Sequence, residues 1–458
     1  MLKIKLGFFL FFLNSLRVLY AQDVVFTLNG STIQNNEQTK ISTGNEINIL
    51  LGFLSGGAVR ANQNFFIKNN QNSFYPISNV TSTVEYANQV YNWFNLSNTD
   101  QVIVGYNAVT GANFNGYFNM HFRLNRIRNY AWLAGTYTAD LYFRLVSINI
   151  FSYIRPDYKK LQINVPGFID PYITYNQYHF TIDRLDYFRQ GFESQLINNI
   201  SAVHSLPFNF FQKAANNQFS YTKNSTTVNN SGSPISALQV KNTQPNNSNY
   251  IRMNTAYQQL GSRLVPVGNL TEYQQRFFIS AEDLKRYFLN SGTYSNTLQY
   301  RLTSTNLDYP LTKDFPINLS IDVPDLSEML VKEGQVDLSF DDRIDYQQGV
   351  SKEIKGHLTI SKTSGFQVSV RANSPYFQMG TSRIPVNILS IGPAQGEQKV
   401  LPINAVSTTN QTLINSSQAV IDQQYDIKYS IALKHVPTFI GSTKGTYSTT
   451  LIYTLTAQ

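Results

Sequence analysis

Two pairs of carboxylates are the residues in this sequence best placed to do chemistry. Asp183 and Asp186 lie in the run DRLDY, Asp342 and Asp345 in DRIDY, 159 residues further on, and each run is followed within a few residues by Gln-Gly. Two acids this close could hold Ca²⁺ or share acid and base roles. On an extended strand, residues three apart point to opposite faces, roughly 10 Å apart along the chain, so they converge only if the segment turns. A structural turn with local pairing to Arg184 or Arg343 is therefore expected ahead of metal binding or catalysis. The five histidines (His121, His179, His204, His357 and His435) show no metal-ligand spacing. No G-x-S-x-G elbow, phosphate loop or dinucleotide fingerprint is present. Cysteine is absent, which excludes disulfides, thiolate metal sites and thiol nucleophiles. The expectation is no catalytic residue, no metal and no cofactor. The aromatic runs at 172–180 (YITYNQYHF) and 208–211 (FNFF) could stack on sugar rings or a partner protein. Core packing and cross-strand pairing are their more ordinary use.

The elements that would position such residues are announced by a repeat. Residues 135–145 read GTYTADLYFRL, 292–302 read GTYSNTLQYRL and 445–455 read GTYSTTLIYTL, with starts 157 and 153 residues apart. Tyr137, Leu141 and their alternate neighbours fall on one face of a strand, and so do Tyr294 with Leu298 and Tyr447 with Leu451. Gly135, Gly292 and Gly445 permit the tight backbone leading into each strand. Each copy is expected to be a half-buried strand closing one domain. A second pair, LQINVP at 161–166 and LSIDVP at 319–324, is expected to open the domains that follow. Domain one opens instead with VVFTL at 24–28. Short alternating runs such as 117–124, 366–370 and 425–433 predict further antiparallel strands. The segment 280–288 (SAEDLKRYF) predicts one short helix capped by Ser280, and the polar stretch 216–249 predicts a long loop or a frayed edge hairpin.

Length and composition agree with this. The 458 residues fit about three domains. Aromatics reach 14% and charged residues only 14%, a balance that leans towards β structure. The formal charge is +8, of which residues 151–310 carry +5 in scattered positions without a basic run, so nucleic acid is not an expected partner. Residues 1–22 read as a secretory signal peptide: Lys3 and Lys5, then the apolar run at 7–13, then Ala21 before the cut. No later stretch is long and apolar enough for a transmembrane helix. The expected destination is periplasm, outer surface or extracellular space.

The closing G-T-Y-[ST]-x-x-L strand resembles the last strand of pilin-like, spore-coat-type and WxL-like surface β-sandwich domains. The Trp-containing motifs of the WxL group are missing, Trp93 and Trp132 being the only tryptophans. The Asn-rich composition and the leader ending in Ala-Gln look like those of secreted Bacteroidetes proteins. The resemblance implies an all-β chain of three tandem immunoglobulin-like (pilin-like) sandwiches after the signal peptide, at 23–150, 151–310 and 311–458. It implies a non-enzymatic structural or adhesion role of fimbrial type. The alternative is a carbohydrate- or protein-binding module, and a glycosidase with an unfamiliar carboxylate pair is a third. The partners allowed are a surface protein, a glycan, or a second copy through an open sheet edge of domain three, which Val24 to Leu28 of a neighbouring molecule could fill. The simpler expectation is that domain three closes itself and Val24 to Leu28 stays the first strand of domain one.

Overall fold

The computed structural model describes residues 23–49, 56–68, 71–104, 114–146, 152–223, 226–228, 232–244 and 248–458. The expected leader lies outside them. The chain is almost all β, with 57% strand against 12% helix, folded as tandem immunoglobulin-like β-sandwiches. Three separate apolar cores, each between two facing sheets, follow one another along the chain.

Period-two alternation builds these layers. Tyr158–Val165 (YKKLQINV) alternates half-buried with buried residues along its whole length, and Leu270–Ile279 alternates exposed or half-buried with buried ones. A strand with this pattern can satisfy its backbone in a sheet while putting one row of side chains into the core. In the first sandwich one sheet runs Val24–Thr27, Tyr158–Val165, Gly135–Val146, Gly56–Ala61, Gln101–Val104. In the second the matching order is Gln177–Thr181, Thr312–Val323, Gly292–Ser304, Phe208–Ala214, Gln258–Arg263. The opening strand pairs parallel with the flanking strand in both, Phe26 facing Ile163 and Phe180 facing Ile321. The flanking strand pairs antiparallel with the closing strand, Tyr137 facing Ile163 and Tyr294 facing Ile321.

This topology corrects one expectation. Segments 161–166 and 319–324 do not open the second and third units. They complete the sheet of the preceding one, and Leu161, Ile163 and Val165 are buried in the first core. Divisions at 150/151 and 310/311 would cut the flanking strands from the sheets they finish. The described parts of the polar stretch 216–249 also hold more strand than expected. Ser220–Lys223 and Thr226–Val228 form a hairpin on the closing strand, and Leu238–Gln244 is an interior strand of the opposite sheet. The short helix does form, as Ala281–Tyr287, with the Ser280 hydroxyl accepting from the Asp283 amide at 3.1 Å.

Candidate functional site

The repeat residues occupy one environment in the first two sandwiches. Gly135, Gly292 and Gly445 have φ of 140°, 149° and 156°, a region open chiefly to glycine. Lys68, Tyr221 and Met379 respectively lie where a Cβ would fall. Two residues on, each tyrosine turns its hydroxyl back onto the carbonyl four residues upstream: Tyr137 to Leu133 at 3.0 Å, Tyr294 to Asn290 at 2.9 Å, Tyr447 to Thr443 at 2.8 Å. This tyrosine corner locks the turn into the closing strand. Burial drives the Tyr137 hydroxyl up to about 12, so it stays protonated and able to donate. Leu141 and Leu298 are fully buried.

The third sandwich departs from the others at this strand. Leu451–Ala457 has a single neighbour, Phe366–Ala372, and its other edge pairs with no described residue. Tyr447, Leu451 and Tyr453, whose counterparts in the first two copies are buried, are only half-buried, as is Leu455. Earlier in the same sandwich runs 336–340 (VDLSF). Val336, Leu338 and Phe340 are half-buried against the third core while Asp337 and Ser339 are exposed. These positions are 158 residues beyond Tyr178, Phe180 and Ile182, the opening strand of the second sandwich. There the Ile182 amide donates to the flanking strand at Asp322, as Leu28 does to Asn164. Residues 336–340 have the strand alternation and no backbone ladder among the described residues. The third sandwich thus has an opening segment and a closing strand edge that no described strand pairs.

A polar cluster lies at this closing strand. Tyr453 Oη meets Tyr429 Oη, which is 2.7 Å from His357 Nε2, while His357 Nδ1 is buried with no partner among the described residues. Burial lowers the His357 pKa, holding the ring neutral. In the second sandwich the residue matching Tyr453 is Tyr300, which stacks against Phe315 of the flanking strand at 5.6 Å. Val24–Thr27 is the first strand of the first sandwich, paired with Tyr158–Val165 of its own chain.

Of the two carboxylate pairs, the second caps a helix and the first lies at the start of one without a side-chain cap bond. Asp342 accepts from the Ile344 and Asp345 amides, and Asp345 accepts from Asp341 and Asp342, at the start of Arg343–Gln348. Asp186 pairs with Arg184 at 2.8 Å beside Leu185–Gln190. Among the described residues no group of three acids or histidines could hold a metal. An open depression is lined by Ile173, Thr174, Tyr175, Asn176, Gln177 and His179, with no carboxylate. In the aromatic runs, Tyr178, Phe180, Phe208 and Phe210 are core, and Tyr172 and Tyr175 are exposed.

Sequence reading missed a different aromatic feature. Trp93 stacks on the Arg123 guanidinium at 4.5 Å on the outer face of the first sandwich. Beside it Glu85 accepts from His121 at 2.9 Å and Asn119 at 3.3 Å. Tyr250, in the equivalent place on the second sandwich, lies 5.4 Å from Phe278 and 4.4 Å from Lys241 Nζ. The equivalence follows from pairing: Phe94 faces Ser82 as Ile251 faces Val240.

No family model matches the chain, and no curated protein is similar to it in sequence. Solved structures similar to it include the CsuC–CsuE chaperone–tip adhesion subunit complex from archaic chaperone-usher Csu pili of Acinetobacter baumannii, at 13% identity and TM-score 0.30, over 62% of this chain and 99% of that one. CfaE, the adhesive subunit of CFA/I fimbria of enterotoxigenic Escherichia coli, matches at 10% identity and TM-score 0.25, over 66% and 97%. The CupB6 tip adhesin of Pseudomonas aeruginosa matches at 11% and 0.24, over 63% and 90%.

Proposed function

We propose that the chain is an exported, non-enzymatic subunit of a fimbria-like surface structure, and that its third sandwich accepts a β-strand from a separate polypeptide. The three units divide at Pro166 and Pro324. The observation that carries this reading is the edge of Leu451–Ala457 that no described strand pairs, together with the ladderless residues 336–340, which by analogy with the first two sandwiches are the two walls of a strand-accepting groove. The flanking strands of the first two sandwiches describe the guest. It runs antiparallel to the closing strand and parallel to the opening segment. Its inward positions are apolar, as Leu161, Ile163 and Val165 are, and Leu319, Ile321 and Val323. Main-chain pairing on both sides supplies affinity, and the inward side chains supply selectivity. The edge is otherwise a template for unspecific pairing, so a subunit of this kind is expected to be held by a partner whenever it is not assembled.

The test copies the native connection. Residues 305–324 are appended after Gln458, because Ala457 stands at the end of its closing strand as Ser304 does of its own. The half-buried row on both walls then becomes core. The unfolding transition of the third sandwich should rise by about 10 °C, equivalent to roughly 3 kcal/mol. A variant with Asp at the positions of Ile317, Leu319 and Ile321 in the appended segment should not rise. Equal transitions for the two chains would remove the proposal.

A second reading, binding of a glycan or a partner protein, is favoured by the equivalent ledges at Trp93 and Tyr250. An aromatic face with neighbouring carboxylate and amide groups suits a sugar ring. Trp93→Ala should abolish retention of the protein on a glycan array while leaving its thermal transition within about 2 °C, since Trp93 is 40% exposed. An array without any binder for the unmodified chain would end this reading.

A further inference from the structure

The two junctions between sandwiches are built from the same hydrogen bonds. At the first, the Ser205 hydroxyl donates to the Pro166 carbonyl at 2.6 Å and accepts from the Phe168 amide at 3.0 Å, while the Ser205 amide donates to the Phe168 carbonyl at 3.0 Å. At the second, the Thr363 hydroxyl donates to the Pro324 carbonyl at 2.8 Å and accepts from the Leu326 amide at 2.7 Å, and the Thr363 amide donates to the Leu326 carbonyl at 3.1 Å. Every partner is displaced by 158 residues. The preceding sandwich joins in the same way. Ala134, just before Gly135, donates its amide to the Ser205 carbonyl at 3.1 Å. Ser291, just before Gly292, donates to the Thr363 carbonyl at 2.6 Å. The carbonyls of Ala134 and Ser291 are held in turn by Lys68 Nζ at 2.6 Å and Tyr221 Oη at 2.7 Å.

Such a junction is a short clamp. The flanking strand finishes one sheet, proline ends it, and a hydroxyl on the next sandwich grips the proline carbonyl. The amide before the repeat glycine then ties the old sandwich to the same residue of the new one. Because strand insertion and docking share one short linker, filling the sheet also fixes how the next sandwich sits.

The third sandwich presents one half of this clamp without the other. Lys444 precedes Gly445 as Ala134 and Ser291 precede their glycines, and the tyrosine corner below it is formed. Ser442, Thr443 and Lys444 are exposed, and the Lys444 amide donates to no described carbonyl. Resting on the strand-accepting reading, we infer that the partner is a sandwich of this same class docked end-on through the same clamp. Its donated strand ends in proline, a Ser or Thr about 39 residues later grips that proline carbonyl, as Ser205 and Thr363 do, and the Lys444 amide donates to that residue's carbonyl. The partner therefore continues the array with the junction already used twice within the chain.

Two extended chains separate this inference from the reading beneath it. One appends residues 305–324 after Gln458 and offers a strand alone. The other appends residues 305–458 and offers strand, proline and a fourth sandwich. The probe is native-state hydrogen exchange at the Lys444 amide, with the Ser291 amide as internal reference. The fourth sandwich should slow Lys444 exchange about 100-fold or more relative to the strand-only chain. Thr363→Val in the appended copy alone should return most of that protection while the raised transition of the third sandwich persists. If the transition rises in both chains and Lys444 exchanges equally fast in both, the clamp is wrong and the strand-accepting reading stands. If neither chain shows a raised transition, the strand-accepting reading fails and the clamp falls with it.

Discussion

Asn269→Ala should cost about 3–5 kcal/mol and uncouple the first two sandwiches. Asn269 is fully buried, and its side chain closes three hydrogen bonds. Oδ1 accepts from the Trp132 amide at 2.9 Å, and Nδ2 donates to the Trp132 carbonyl at 2.8 Å and the His204 carbonyl at 2.7 Å. One end of this bridge is in the first sandwich and the other in the second. Truncation leaves three backbone groups without partners, in a place already sealed by Trp132. Each stranded group costs about 1–3 kcal/mol. The backbone adds to it, because Asn269 sits at φ 58°, where asparagine is tolerated better than alanine. Asn269→Gly should therefore be milder than Asn269→Ala by about 1 kcal/mol, which isolates the conformational part. Urea unfolding gives the energy, and small-angle scattering the spread of angles between sandwiches. If Asn269→Ala unfolds as the unmodified chain does, the bridge is not what couples them.

The second junction is held differently beside its shared clamp. Arg189 reaches Asp422 at 2.8 Å and contacts Glu328. Asp422 also accepts from the Ser361 hydroxyl at 3.0 Å. The guanidinium beside it holds the Asp422 carboxyl below the usual range. These groups are partly exposed, so salt should weaken them more than it weakens the Asn269 bridge.

How much of this was legible follows from the range of each signal. The first two closing strands could be read because their pattern is local and periodic, as could the capped helix at Ala281–Tyr287, whereas the third forms a strand only from Leu451. Asp342 and Asp345 were legible as a turn for the same reason: a cap involves residues three apart. Sheet membership was not. Leu161 and Leu319 announce strands, but whether a strand finishes one sandwich or begins the next depends on pairing with residues about 20 positions back. The open groove shows the same limit. Val336, Leu338 and Phe340 alternate as Tyr178, Phe180 and Ile182 do, and nothing local says that one row meets a ladder and the other does not. Asn269 looked like any residue of a polar turn; its weight comes from Trp132 and His204, both distant in sequence.

Alanine at three equivalent leucines should turn that contrast into a measurement. Leu141, Leu298 and Leu451 occupy the same place in the repeat, and the first two are completely buried. Leu141→Ala and Leu298→Ala should each cost about 3–4 kcal/mol in their own sandwich, the transfer of the removed atoms plus the cavity left behind. Leu451 is half-buried beside the groove, so part of its surface already meets water and the space it vacates opens outward. Leu451→Ala should cost about 1–2 kcal/mol. The difference should vanish once the groove is occupied. In the chain extended by residues 305–324, Leu451 faces the copy of Ile317 as Leu298 faces Ile317 itself, and its truncation should rise to about 3–4 kcal/mol. The energy is then context and not side chain, since the residue, the strand and the position in the repeat are unchanged. A penalty at Leu451 as large as at Leu298 before any strand is added would mean the third core is already sealed. A penalty that stays small after the strand is added would mean the strand lies elsewhere.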